Sequence, residues 1–334
     1  MQKHNIILAG DIGGTKTLLA LFESNKGNPI ELRRKRYVSK DFENLEIIVK
    51  DFLDESEIEP QAATFGIPGP VINGKVKSTN LPWIINEKAL SIKTGISIIK
   101  IVNDLAATAY EIPFLKKDEV ITIKEGNELK DPERFVILAP GTGLGQAFLF
   151  YEGRQRVVIP SEGGHSDFAP TDEFEILLFR YLLKKFGRVS YERIISGSGI
   201  PNIFNFLIET NFGEPKEETL ERMKTEDKAA VISEMALHKK DKVCEKTLDI
   251  FVSVLGAHAG NMAITFLANG GVYLAGGIPR KILIKLRDGT FAKSFIKKGR
   301  LSEIVKSAPV YVINNEYTAL HGAARLAFKQ LEDL

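Results

Sequence analysis

A single cysteine, Cys244, among 334 residues excludes a disulfide framework and a thiolate zinc site, and it suits a reducing compartment. Charge of one sign is equally lacking. Forty-five Lys and Arg stand against 43 Asp and Glu, a formal +2, so no field favours nucleic acid or an acidic membrane. The one basic run, Arg33–Arg36, falls in an expected strand and reads as a solvated face. Long hydrophobic runs are missing too. The longest apolar stretch, Thr247–Ala268, is interrupted by Asp249, Ser253, His258, Asn261 and Thr265, whereas a membrane span needs about 20 predominantly apolar residues. It reads as a buried core helix whose Gly256, Ala257, Ala259 and Gly260 admit another backbone. The start has no charged segment followed by an apolar one, so no secretory leader is expected. The 44% hydrophobic and 26% charged residues are ordinary for a globular chain. At roughly 150 residues per domain the length predicts two domains.

The stretch Ile6–Phe22 sets two aliphatic runs, Ile6–Ala9 and Leu18–Phe22, around the insert Asp11–Thr17. This predicts a buried hairpin. Gly13 and Gly14 let the backbone take positive φ and let a ligand approach. Turn amides make a concavity for an anion, and Asp11 beside them is a hard oxygen ligand suited to magnesium. A plain tight hairpin explains the segment as well. The design returns, however, at Val136–Phe150 with Gly141, Thr142, Gly143 and Gly145. A third glycine turn, Gly276–Gly277, follows the apolar run Gly271–Ala275. The repetition implies two related halves with a nucleotide held by glycine turns from both; chance resemblance of two glycine turns is the alternative.

Along the chain, Pro29–Ser39 predicts a strand, the spacing of Leu45, Ile48, Val49, Phe52 and Leu53 a helix, and Ala63–Ile67 a strand. Asn73–Gly74 predicts a primed hairpin turn. Asn86–Thr94 reads as a helix and Ile96–Val102 as a buried parallel strand that ends at Asn103–Asp104, where a helix starts. The alternation predicts an α/β sheet, with ligands beyond the carboxyl ends of its strands. The charged segment Lys116–Arg134 reads as a surface connection at the domain boundary. Helices are expected at Glu173–Phe186, with breaks across Thr219–Ala268, at Pro279–Leu286, and at Tyr317–Leu331, the last packing back on the first domain.

Asp104, at a strand end beside a helix start, suits a general base that takes a hydroxyl proton during phosphoryl transfer. Capping of the helix by Asn103 or Asp104 explains the same residues equally well. Glu162 and His165 flank two glycines, and carboxylate plus imidazole can clamp vicinal hydroxyls; a hydrogen-bonded turn without ligand is the plainer reading. Glu192, near a Gly/Ser turn, adds an acceptor or is an exposed acid. Gly10–Thr17 lacks the Gly-Lys-Ser/Thr ending of a Walker loop, and Gln146 stands where the third glycine of a dinucleotide fingerprint belongs. No Gly-x-Ser-x-Gly elbow surrounds Ser198. His4, His238, His258 and His321 form no ligand spacing and read as surface or core.

Together these motifs resemble the bacterial glucokinase family, a branch of the actin-like sugar kinases, nearly end to end. DIGGT (Asp11–Thr15) is similar to that family's first phosphate loop, GTGLG (Gly141–Gly145) to its second, and AGG (Ala275–Gly277) to its adenosine-side turn. The resemblance assigns sugar contacts to Asn80, Asn103, Asp104, Glu162, His165 and Glu192, with Asp104 the catalytic base. It assigns the nucleotide to Asp11, Gly13, Gly14, Thr15, Lys16, Gly141, Thr142, Gly143, Gly276 and Gly277. Thr79–Trp83 resembles the loop over the sugar. Lys16 stands where some members carry Asn; it touches phosphate or is solvated. The resemblance implies a duplicated actin-like (ribonuclease H-like) α/β fold of two domains flanking a deep cleft: residues 1–115 with 316–334, and residues 116–315. It further implies ATP and Mg2+, with magnesium at Asp11 directly or through water, glucose as acceptor, and a cytoplasmic homodimer without nucleic-acid or membrane partners. A sugar-sensing regulator on the same scaffold, or a kinase of another hexose, is the alternative. A regulator that reads DNA needs a helix-turn-helix and a basic face, and neither is expected here.

Overall fold

The two apolar runs pair as an antiparallel hairpin, β1 (Ile6–Ile12) and β2 (Lys16–Asn25). The computed structural model describes residues 5–25, 28–78, 81–127 and 129–333. The strands run deeper into the glycine segment than expected. Asp11 is in the ladder opposite Leu18, and Ile12 lies opposite Thr17, which leaves Gly13–Thr15 as the turn. Extending the ladder pairs backbone groups that a longer loop would leave to solvent. β2 continues antiparallel to β3 (Asn28–Val38), and β1 lies parallel to the fully buried β4 (Ala62–Ile67). Asn73 and Gly74 both have positive φ, and Ile72 and Lys75 exchange backbone hydrogen bonds across them, as a primed turn requires. A small ribbon follows, β5 (Lys75–Lys77) with β6 (Ile84–Asn86). β7 (Ile98–Asn103) closes the sheet parallel to β4, giving the order β3-β2-β1-β4-β7.

Helices cover this sheet. α1 (Leu45–Ser56) starts where the Asn44 side chain accepts from the Ile47 amide, and α2 (Glu87–Thr94) where Asn86 accepts from Ala89. α3 (Asp104–Glu111) follows β7 directly. The chain's only tryptophan, Trp83, is buried among Leu8, Leu19, Phe65 and their neighbours, and its Nε1 donates to the Phe42 carbonyl. It is a core residue of this sheet layer.

A second sheet repeats the first. β8 (Val120–Lys124), β9 (Arg134–Pro140), β10 (Leu144–Glu152), β11 (Gln155–Ser161), β12 (Val272–Leu274) and β13 (Val310–Ile313) assemble in the order β11-β10-β9-β12-β13-β8. An antiparallel meander β9–β10–β11 leads into parallel β12 and β13, as β1–β2–β3 leads into parallel β4 and β7. The extra edge strand β8 is antiparallel to β13. It corrects the expectation of a surface connection across Lys116–Arg134: a short, half-buried strand with lysine at its end carries little apolar signal.

Between β11 and β12 come α4 (Glu173–Phe186), α5 (Gly199–Glu209), α6 (Glu217–Thr225), α7 (Lys228–Leu237) and α8 (Lys242–Phe266). α9 (Gly277–Lys281), α10 (Leu283–Leu286), α11 (Thr290–Ile296) and α12 (Ser302–Ser307) precede β13. α8 is long and apolar enough to cross a membrane, yet most of its apolar residues are buried in the main core. Its glycines do what their size predicts: a Cβ at Gly256 or Gly260 would collide with the carbonyl oxygens of Phe291 and Phe295 on α11.

The last helix, α13 (Thr318–Glu332), buries Leu320, Ala323, Ala324 and Ala327 against Ile7, Ala9, Ala20 and Ala107. Contacts divide the chain into two units: Met1–Lys116 with Val158–Pro160 and Asn315–Leu334, and Lys117–Val157 with Ser161–Asn314.

Candidate active site

In the first unit, three parallel strands bring Asp11, Ile67 and Asn103 side by side at their carboxyl ends, because Asp11 pairs with Gly66 and Ile67 with Asn103. The carboxyl ends of parallel strands are where an α/β sheet binds ligands. The first glycine turn is closed by the Gly13 amide donating to the Lys16 carbonyl at 2.9 Å. Neither Gly13 nor Gly14 has positive φ, so the expected conformational reason for glycine does not hold there. A Cβ on Gly13 would crowd the Lys16 carbonyl at 3.1 Å, so closeness is what the turn requires. Fully buried Ser39 fastens the turn: its hydroxyl donates to the Gly13 carbonyl at 2.7 Å, its amide donates to Thr15, and its oxygen lies 3.0 Å from Thr17 Oγ1. Nothing in the sequence marked Ser39, a lone serine after a strand.

Asn103 is the N-cap of α3. Its Oδ1 accepts from the amides of Leu105 and Ala106, and its Nδ2 donates to the Gly69 carbonyl at 3.3 Å. Asp104, the first helical residue, accepts from the Leu105 amide through Oδ1 at 2.8 Å. The capping role thus belongs to Asn103, and it holds the carboxylate of Asp104 in the first turn. Asp11 responds to this neighbour. Its carboxyl is pushed up to about 6, first by desolvation, then by the negative charge of Asp104, against the pull of Lys16. The Lys16 ammonium lies 3.6 Å from Glu316, which also faces Arg36 at 3.8 Å. Asn80 lies outside the described residues.

Among the described residues no three of His, Cys, Asp and Glu gather as a metal cage. A desolvated carboxylate repelled by a second one nonetheless fits magnesium, which binds through one or two carboxylates plus substrate phosphates.

In the second unit the turn after β9 is closed by the Gly141 amide on the Gly143 carbonyl at 2.8 Å, while the Gly197 amide donates to the Gly141 carbonyl at 2.7 Å. Glu192 reaches into the same turn: its Oε2 accepts from the Leu144 amide at 2.9 Å. A Cβ on Gly143 would lie 2.5 Å from that oxygen, so this glycine makes room for a carboxylate of its own chain. The other oxygen, Oε1, is 3.9 Å from His165 Nδ1. Glu162 precedes the 3-10 turn Gly163–His165, and a Cβ at Gly164 would collide with the Leu144 carbonyl. The glycines of this loop therefore let it lie flat on β10. Arg188 braces the loop by donating to the His165 carbonyl at 2.7 Å and to Asp167. Glu162, His165 and Glu192 are thus carried on segments that touch the second glycine turn.

A cavity of about 900 Å3 opens beside that turn. Gly141, Thr142, Ser198, Asp227, Gly277 and Lys281 line it, with Ile278 and Ile282 among the apolar walls. Gly276 has φ of 86° and its missing Cβ faces the Pro140 carbonyl at 2.9 Å; no atom of the described residues crowds Gly277, which opens onto the cavity. His238, expected to be surface or core, also lines it, as do Ala230 and Ser233 of α7. These wall residues were missed because α7 carries no glycine or charge pattern pointing to a ligand.

A family model for glucokinase matches residues 8–330. The chain belongs to the glucokinase family. A Nostoc sp. glucokinase is 40% identical over 339 residues, covering 96% of this chain and 98% of the relative. The crystal structure of a glucokinase from an Antarctic psychrotroph is 29% identical with a TM-score of 0.86, covering 98% of this chain and all of that one. A Streptomyces griseus ROK family glucokinase, solved with glucose and AMPPNP, shares the fold at 18% identity and a TM-score of 0.64, with 97% and 99% covered. The fold is the actin-like fold of the sugar kinases, and membership of the glucokinase family makes the chain an enzyme, a kinase acting on sugar.

Proposed function

We propose that this glucokinase-family enzyme transfers the γ-phosphoryl group of Mg-ATP to the 6-hydroxyl of glucose. The observation that carries this reading is the carboxylate pair of the first unit. Asp104 is fixed by the Asn103 cap in the first turn of α3, close enough to Asp11 to raise its proton affinity. One carboxylate facing a hydroxyl and one facing a cation is the division of labour that phosphoryl transfer needs.

In this reading the adenosine lies in the cavity walled by Gly277, Ile278 and α7, and the amides of both glycine turns take the phosphates. Lys16 adds positive charge beside the first turn. Magnesium, bound at Asp11 directly or through water, neutralises charge on the phosphates. Glu162 and Glu192 accept from sugar hydroxyls, His165 donates to one, and Asn80 and Asn103 complete the set. Asp104 accepts the proton of the 6-hydroxyl as its oxygen attacks phosphorus and ADP leaves. That the Streptomyces relative was solved with glucose and AMPPNP supports this choice of sugar and donor. The family resemblance supports a homodimer working in the cytoplasm.

The test is incubation of the purified protein with glucose and Mg-ATP, followed by 31P NMR of the products. Glucose 6-phosphate and ADP in equal amounts are expected. A phosphate on another hydroxyl would overturn the reading, and no turnover at millimolar glucose would favour the sugar-sensing regulator.

A further inference from the structure

His258 lies in the middle of α8 and is fully buried. Gln146 Nε2 is 2.5 Å from its Nε2. An amide N–H can only donate, so His258 Nε2 accepts and the ring proton is on Nδ1. Among the described residues, Nδ1 is buried with no hydrogen-bond partner. Burial, and then the Lys298 ammonium that donates to the Ala257 carbonyl at 2.8 Å, keep the ring neutral by pushing its pKa down to about 4. A buried donor without a partner is costly, a cost that an apolar ring of the same shape would avoid. The position therefore carries a polar group for a reason other than packing.

The two residues that His258 touches indicate that reason. Gln146 Oε1 lies against Gly163, so closely that a Cβ there would collide with it, and Gly163 stands between Glu162 and His165. The Tyr191 ring lies against the imidazole, tilted by 33° with ring centroids 3.8 Å apart, and Tyr191 directly precedes Glu192. The Tyr191 hydroxyl accepts from Asn261, one turn further along α8. Its amide donates to the Ser166 carbonyl, just past His165. One buried ring thus backs both segments that bear the three acceptor and donor side chains of the second unit.

We propose that His258 is a positioning residue for sugar phosphorylation: through Gln146 it fixes the loop bearing Glu162 and His165, and through Tyr191 the turn bearing Glu192. The proposal rests on the reading of those three residues as sugar contacts.

Two substitutions separate positioning from packing. His258→Phe keeps a ring against Tyr191 and removes the acceptor, whereas His258→Gln restores an acceptor near the place of Nε2. His258→Phe should raise the KM for glucose, lowering kcat/KM roughly tenfold, as loss of alignment at a binding loop does. The KM for ATP should stay near that of the unsubstituted enzyme, and His258→Gln should recover most of the loss. The His165 Cε1–H resonance in 1H NMR should shift in His258→Phe, with or without sugar. Should that variant not fold, Gln146→Met removes the same hydrogen bond from the β10 side and should reproduce both effects. If the unsubstituted enzyme leaves glucose unphosphorylated while the His165 resonance still moves, the sugar reading fails and the positioning stands. An unchanged glucose KM and an unchanged His165 resonance in folded variants would overturn the proposal.

Discussion

Asp11 shows how one side chain can oppose the fold. Its carboxyl has a pKa of 3.8 when free and about 6 in the folded chain, raised by desolvation and by Asp104. Between those values the folded protein keeps a proton that the unfolded chain releases. Stability therefore falls as pH rises from about 4 to about 6, and the loss is fully present above that window. A shift of that size is worth on the order of 2–3 kcal/mol. Asp11→Asn should accordingly be more stable than the unsubstituted enzyme at pH 7.5 without ligand, and its urea midpoint should change less between pH 7.5 and 5. It should also lose most of the stabilisation that a non-hydrolysable Mg-nucleotide gives. A lower midpoint for Asp11→Asn at pH 7.5 without ligand would contradict this account. At this scale the glycines beside them marked Asp11, Glu162 and His165 in the sequence as candidates. Ser39, Gln146 and His258 were not, because their contacts join positions 22 to 112 residues apart.

At the scale of elements, the helix that carries Asp104 is set by another helix. Gly322 of α13 lies so close to α3 that a Cβ would collide with the Ala107 carbonyl, one turn along from Asp104. Gly322→Ala must push α3 and α13 apart. Overpacking of this kind costs about 1–3 kcal/mol, and here it also tilts the first turn of α3. A lower urea midpoint and a lower kcat are expected together; an unchanged pair would show that the contact is not constraining. Elements with long aliphatic or amphipathic runs, such as β4, α1, α4 and α8, were readable from spacing. α5 was not, because it opens with Gly-Ile-Pro, a breaker pattern that a first helical turn tolerates. β8 and β13 are short and take their identity from pairing with each other, which no local window contains.

At the scale of the whole molecule, the glycine-turn hairpins disclosed a duplication, and the two sheets repeat it over five strands, from antiparallel meander to parallel extension, with β8 added at one edge. The order of the strands was beyond the sequence, since it depends on pairings such as β1 with β4, more than 50 residues apart. The duplication gives each unit one glycine turn, and the side chains around the two turns differ: carboxylates Asp11 and Asp104 in one unit, the Glu162, His165 and Glu192 set in the other. The central claim is that Asp104 takes the proton of the sugar hydroxyl. Asp104→Asn tests it most directly, because asparagine keeps an oxygen for the Leu105 amide and removes only the basicity. Turnover measured by coupled ADP release should fall at least about a hundredfold, with glucose affinity by calorimetry and the unfolding midpoint close to those of the unsubstituted enzyme. Turnover within about tenfold of that enzyme, in a variant that still folds and binds glucose, would contradict the assignment.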